Sequence, residues 1–294
     1  MFSRFLKLLA AVLMFAPFCH AATTQPSGQP SAQPSPLVLH IASDPNNLPF
    51  SNEREEGFEN KIAALIANDL GATIEYNWFA QRRGFFREAV KHGPSDIVMG
   101  VPTVDFERVL PTRPYYRSTY CFVYRKSSPA QIKSFDDPAL HKLKIGVPLV
   151  GDSKNTPPAQ WLADRGIVDN IVGFPVYTDY RDATPASKMI DASAAGDIDV
   201  AIAWGPIAGY FAKKQSVPLT VVPITQPSKS STPIAYDISI GVKRSNSQLR
   251  RQIDDVLIRR KFEIDRILDD YGVPRVPTSE PATPSRIDDE KMSH

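Results

Sequence analysis

Asp96-Ile-Val-Met-Gly100-Val-Pro-Thr103, followed by Arg113-Pro-Tyr-Tyr-Arg-Ser-Thr-Tyr-Cys-Phe-Val-Tyr124, is the stretch from which the fold is read. The apolar run ending at Gly100 has the character of a strand buried on both faces. A polar loop interrupted by Pro102, Pro111 and Pro114 follows it. Tyr115 to Tyr124, rich in aromatic and β-branched residues, reads as a second, longer strand. A buried strand with a polar loop at its carboxyl end places that loop at the crevice of an open α/β sheet, where ligands bind. The long exit strand then carries the chain toward a second domain.

Working outward, the same βα rhythm appears on both sides. Leu37 to Ala42 reads as a strand that ends in the polar loop Ser43–Phe50, stiffened by Pro45 and Pro49. From Gly57 a helix places Phe58, Ile62, Leu65, Ile66 and Leu70 on one face and stops at Gly71. Ile74–Trp78 is the next strand, and Phe85 leads into a short helix ending at His92. Beyond Tyr124, strands are expected at Leu143–Val147, Ile171–Phe174, Asp199–Trp204 and Leu219–Val222, with helices at Thr156, Pro185–Ala195 and Gly205–Lys213. Asp237–Val242 alternates as a second crossing strand. A capping box of Ser245 and Gln248 would start a helix that buries Leu249, Ile253, Val256 and Leu257 and continues or kinks through Leu268. Two βα groups joined by two crossings imply an α/β fold of two lobes around a cleft. Lobe 1 takes residues 37–122 and 240–272, and lobe 2 takes 125–235.

The ends differ in character. Residues 1–22, with Arg4 and Lys7, an apolar stretch from Leu8 to Phe18 and small residues at Ala21 and Ala22, read as a secretory signal peptide. Residues 23–36 form a Pro/Ser/Gln-rich spacer. The proline-rich residues 273–294 read as a disordered tail. Of 294 residues, 42% are hydrophobic and 22% charged, as in ordinary globular proteins. Setting Arg4 and Lys7 aside, the basic residues match the 32 acidic ones, and no basic stripe suggests nucleic acid as a partner. Once the leader with Cys19 is removed, Cys121 has no cysteine to pair with and reads as a packing residue.

Signatures of catalysis are absent. There is no Gly-x-Gly-x-x-Gly, no phosphate-binding Gly-Lys-Ser/Thr, no His-Glu-x-x-His, no Gly-x-Ser-x-Gly and no pair of cysteines for zinc. Neither an enzymatic activity nor a metal or other cofactor is therefore expected. Binding groups are found at strand ends: Asp44, Asn46 and Asn47 after the first strand, Thr103 after the Asp96–Gly100 strand, and Gly151 and Asp152 before a helix amino terminus. Asp and Asn beside proline are equally ordinary turn residues, and Asp152 equally suits a helix cap. Arg82 and Arg83 suit either an anion clamp or solvent, and Tyr115 and Tyr116 either a cleft wall or hinge packing.

The succession of strand, Gly57-Phe-Glu-Asn60 helix, Asp96-Ile-Val-Met-Gly100 and Pro114-Tyr-Tyr crossing resembles the family 3 periplasmic solute-binding proteins, of type II fold. Longer segments resemble one branch of it, the quinoprotein-dehydrogenase-associated J proteins of methanol oxidation. They are Asp44-Pro-Asn-Asn-Leu-Pro-Phe-Ser-Asn52, Gln81-Arg-Arg-Gly-Phe85, Arg113–Tyr120, Gly166-Ile-Val-Asp-Asn170 and Trp204-Gly-Pro-Ile-Ala-Gly-Tyr-Phe211. That branch implies a periplasmic, non-enzymatic accessory protein for a pyrroloquinoline-quinone (PQQ)-dependent alcohol dehydrogenase. The parent family implies a receptor that delivers a solute to an ABC permease. Amino-acid binders of the family usually carry an Asp where this chain has Trp204, to pair with the ligand ammonium. They also carry an Arg seven residues past Gly100, where this chain has Glu107 with Arg108 beside it. The resemblance therefore implies a cleft without amino-acid anchors, with Trp204 on its wall, that is either empty or remodelled or takes another small molecule or a peptide segment.

Overall fold

The computed structural model describes residues 37–277 except 83, 105–108, 151–155, 177–181, 183 and 226–231. The signal, the spacer, residues 278–294, Arg83, Glu107, Arg108, Gly151 and Asp152 all lie outside the described residues.

In chain order the elements are β1 (Val38–Ser43), β2 (Asn46–Asn47), β3 (Ser51–Asn52), α1 (Phe58–Leu70), β4 (Thr73–Trp78), β5 (Ile97–Pro102), β6 (Leu110–Pro111) and β7 (Tyr116–Arg125). Then come β8 (Ile145–Leu149), α2 (Pro157–Ala163), β9 (Ile171–Pro175), α3 (Lys188–Ala195), β10 (Val200–Trp204) and α4 (Gly205–Lys214). β11 (Leu219–Pro223), β12 (Ala235–Val242), α5 (Ser247–Arg259) and α6 (Lys261–Asp270) complete the chain. One sheet runs in the order β4-β1-β5-β12-β7-β10-β8-β9, with β6 on β12 and β11 on β7.

Each half of that sheet is covered on both faces, which is why its strands read as continuous apolar runs. In the first half, α1, α5 and α6 bury Phe58, Ile62, Ile253, Val256 and Leu268 against Leu39, Met99 and Ile240. The opposite face packs Phe85, Ala89 and Val90 on Ala42 and Val98. In the second half, Trp161 and Leu162 of α2 lie over Phe122, Val147 and Ile202, while Ile190 and Phe211 of α3 and α4 cover the other side. Cys121 sits in that second layer, fully buried, and burial pushes its thiol up to about 12, so it is a neutral packing group.

The two crossings are β7 and β12, and they change partners midway. Tyr116–Thr119 pair antiparallel with Ala235–Ile238. Beyond that shared segment β7 pairs with β10 and β11, and β12 pairs with β5 and β6. At its centre Arg117 lies opposite Asp237 and its Nη1 donates to Asp237 Oδ2 at 2.7 Å, both side chains being largely buried.

Local details depart from the sequence reading. The segment before His92 is a π-helical turn, Arg87–Lys91, whose wider winding accommodates Ala89 and Val90 in the core. Asn246, not Ser245, caps α5, its side chain accepting from Leu249 N at 3.1 Å. Thr156 precedes α2, but its hydroxyl donates to Pro148 O instead of closing the helix end. The helical stretch after Asn246 breaks at Arg260 into α5 and α6. Packing continues beyond residue 272: Val273 is buried, Ser118 Oγ donates to Pro274 O at 2.6 Å, and Val276 N donates to Arg117 O at 3.1 Å.

Candidate functional site

The carboxyl ends of β1 and β5 face that of β10 across the crossing strands. Two adjoining cavities of about 300 and 510 Å³ occupy the space between, sharing Asn47, Phe50, Gln81, Tyr120 and Trp204 on their walls. Ligand clefts of open α/β sheets lie at such strand ends.

The described polar side chains expected at the site are taken up by contacts within the protein. Asp44 lines the smaller cavity, yet it is 4% exposed and its carboxylate accepts from Asn46 N at 2.9 Å and Gln81 N at 2.6 Å. It thereby joins the β1–β2 turn to the chain after β4. Asn46 Nδ2 donates to Asp182 O at 2.8 Å, bridging the two sides at the cleft mouth. Leu48, one turn on, packs on the α3–α4 layer of the opposite side. Asn47 lines both cavities and its Nδ2 donates to Gln81 Oε1 at 2.9 Å. Thr103 lines neither; its hydroxyl is taken up by Asp237 O and Ser239 Oγ, in the pairing of β5 with β12.

Trp204 is brought to the centre. It ends β10, lines both cavities, and meets Tyr120 and Tyr236 edge-on with ring centroids 5.4 and 5.9 Å apart. Edge-to-face contacts of this kind fix ring orientation as well as burying area. Tyr116 does both things expected of it: it lines the smaller cavity and packs in the core against Phe58. Tyr115 lines neither cavity and points its hydroxyl at Glu59.

Glu59 was not expected at the site. It lies in the first turn of α1, lines the smaller cavity and is 8% exposed. Its hydrogen bond among the described residues comes from Tyr115 Oη at 3.4 Å. Desolvation pushes its carboxyl up to about 8, against a smaller downward effect from that contact, so it is mostly protonated at neutral pH. The helix turn is placed by Asn60, whose Oδ1 accepts from Asn52 N and Gly57 N. Gly100 makes room for the carboxyl: a Cβ there would lie 2.3 Å from Glu59 Oε1.

The family described as bacterial extracellular solute-binding proteins, family 3, matches residues 39–273. Protein MoxJ of Methylorubrum extorquens is 27% identical over 285 residues, 92% of this chain and 94% of its own length. The crystal structure of the periplasmic binding protein XoxJ from Methylobacterium extorquens is 35% identical and superposes with a TM-score of 0.67, covering 82% of this chain and 100% of that one. The structure of MxaJ from Methlophaga aminisulfidivorans is 25% identical, with a TM-score of 0.69 over 81% of this chain and 100% of its own.

Proposed function

We propose that this chain, which belongs to the bacterial extracellular solute-binding proteins of family 3 and within them to the branch of MoxJ, XoxJ and MxaJ, is a periplasmic accessory protein of a PQQ-dependent alcohol dehydrogenase. It supports maturation or activation of that enzyme and has no catalysis of its own. Export follows from the signal-like residues 1–22.

The observation that carries the reading is Trp204 at the carboxyl end of β10, where amino-acid binders of the family usually have a carboxylate. An indole cannot stand as a counter-ion to an ammonium group held between the lobes beside a paired carboxylate. Near full-length likeness to the branch proteins points the same way. Capture from periplasmic extract, with this protein as bait, is expected to recover a quinoprotein dehydrogenase. Deletion of the gene is expected to lower quinone-linked alcohol oxidation. Recovery of a permease alone, with alcohol oxidation intact in the deletion strain, sinks the reading.

The second reading, a solute receptor for an ABC permease, is favoured by the two adjoining cavities, which give a solute room between the lobes. It predicts a thermal shift with that solute and none with the dehydrogenase.

A further inference from the structure

The smaller cavity carries two carboxyl groups, Asp44 and Glu59, and no basic side chain among its described lining residues. Asp44 already serves two backbone N–H groups. Glu59 does not: it is buried, held among the described residues by one long contact from Tyr115, and open to the cavity beside Gly100. A buried carboxyl with so little to satisfy it marks a place where something else meets it. Around the same space stand the rings of Tyr116, Tyr120, Trp204 and Tyr236. Aromatic faces attract cations, most strongly where water is excluded.

We propose that this cavity is a binding site for a small organic ammonium ion, with Glu59 as its counter-charge and the Tyr120–Trp204–Tyr236 rings as its cage. Such a ligand needs no carboxylate clamp, and none of the cavity's described side chains supplies one. The site stands whether or not the protein serves a dehydrogenase.

Protonation then governs affinity. Titratable groups interacting with Glu59 are the phenols of Tyr115, Tyr116 and Tyr76, all pushed upward by burial and so neutral, with Asp44 also on the cavity wall. Glu59, raised to about 8, changes charge near neutrality, and a bound cation favours its ionised form. Titration of the purified protein with tetramethylammonium chloride, at constant ionic strength, is expected to show affinity rising about tenfold between about pH 7 and pH 9 and levelling above that. Glu59→Gln, a near-isosteric change, is expected to weaken binding and flatten the pH profile. Trp204→Leu is expected to weaken binding about fivefold or more while leaving the profile's shape. The pH profile of the unsubstituted protein tests the site even if a variant fails to fold.

Three results overturn it. One is no heat or tryptophan-fluorescence change at about 10 mM ligand and high pH. Another is tetramethylammonium binding that Glu59→Gln leaves unchanged. The third is affinity that falls as pH rises, with phenol bound in its place, since Glu59 would then be donating a proton to a neutral ligand.

Discussion

Glu59 and Gly100 form a pair whose members were legible separately and not together. Glu59 belongs to the quoted Gly57-Phe-Glu-Asn60, but an acidic residue in a helix's first turn has a sufficient local reason in the helix dipole. Its burial depends on the strand that passes over it, 41 residues along the chain, and no periodicity reveals that. Gly100 adopts φ +68°, and a side chain there would both strain the backbone and strike the Glu59 carboxyl, so Gly100→Ala is expected to cost about 2–3 kcal/mol in denaturant unfolding. For Glu59 the sign of the pH effect follows from its raised value. The folded protein keeps the proton between the ordinary glutamate range and about 8, where the unfolded chain has lost it. Stability is therefore full at low pH, declines as pH rises through that window, and is flat above it. Between about pH 5 and pH 8 the unliganded protein should lose of order 3 kcal/mol more than the Glu59→Gln variant, measured by unfolding at each pH.

At the scale of elements, β7 and β12 are the pair that the fold turns on. Both were visible as extended runs, β7 by its aromatic and β-branched residues and β12 by its alternation. Their mutual pairing was not visible, nor was the ion pair at its centre, since antiparallel register between segments 120 residues apart leaves no local trace. Arg117→Met strips Asp237 of this partner in a mostly buried place and is expected to destabilise by about 3 kcal/mol; a double-mutant cycle with Asp237→Leu should recover part of it. Element ends proved least readable. The π-helical turn at Arg87–Lys91 buries Ala89 and Val90, the helix breaks at Arg260, and the cap of α5 is Asn246, one residue past Ser245.

At the scale of the molecule, the two halves meet, among the described residues, at three places. The crossing strands are one. At the cleft mouth Asn46 and Leu48 reach the other side. Opposite the mouth, the chain leaving α6 lies over α4: Tyr271 stacks on Tyr210 at 5.6 Å, Lys213 Nζ donates to Asp270 O, and Gly209 is so close to Gly272 that a Cβ would sit 1.8 Å from its carbonyl oxygen. Prolines at 274 and 277 read as the start of disorder, yet Val273 and Pro274 are held by contacts that only the folded hinge provides. Gly209→Val, which forces this packing apart, is expected to lower the thermal midpoint and to broaden the distribution of lobe separations seen by small-angle scattering. An unchanged scattering profile would show that the crossing strands alone set the lobe angle.

The sealed position of Cys121 has a practical consequence. In a preparation that lacks residues 1–22 and so Cys19, the buried Cys121 leaves no exposed native thiol to compete for a maleimide dye. Surface cysteines introduced in pairs, one per lobe, then accept fluorophores cleanly, and any change in the distance between them becomes a colour change readable one molecule at a time.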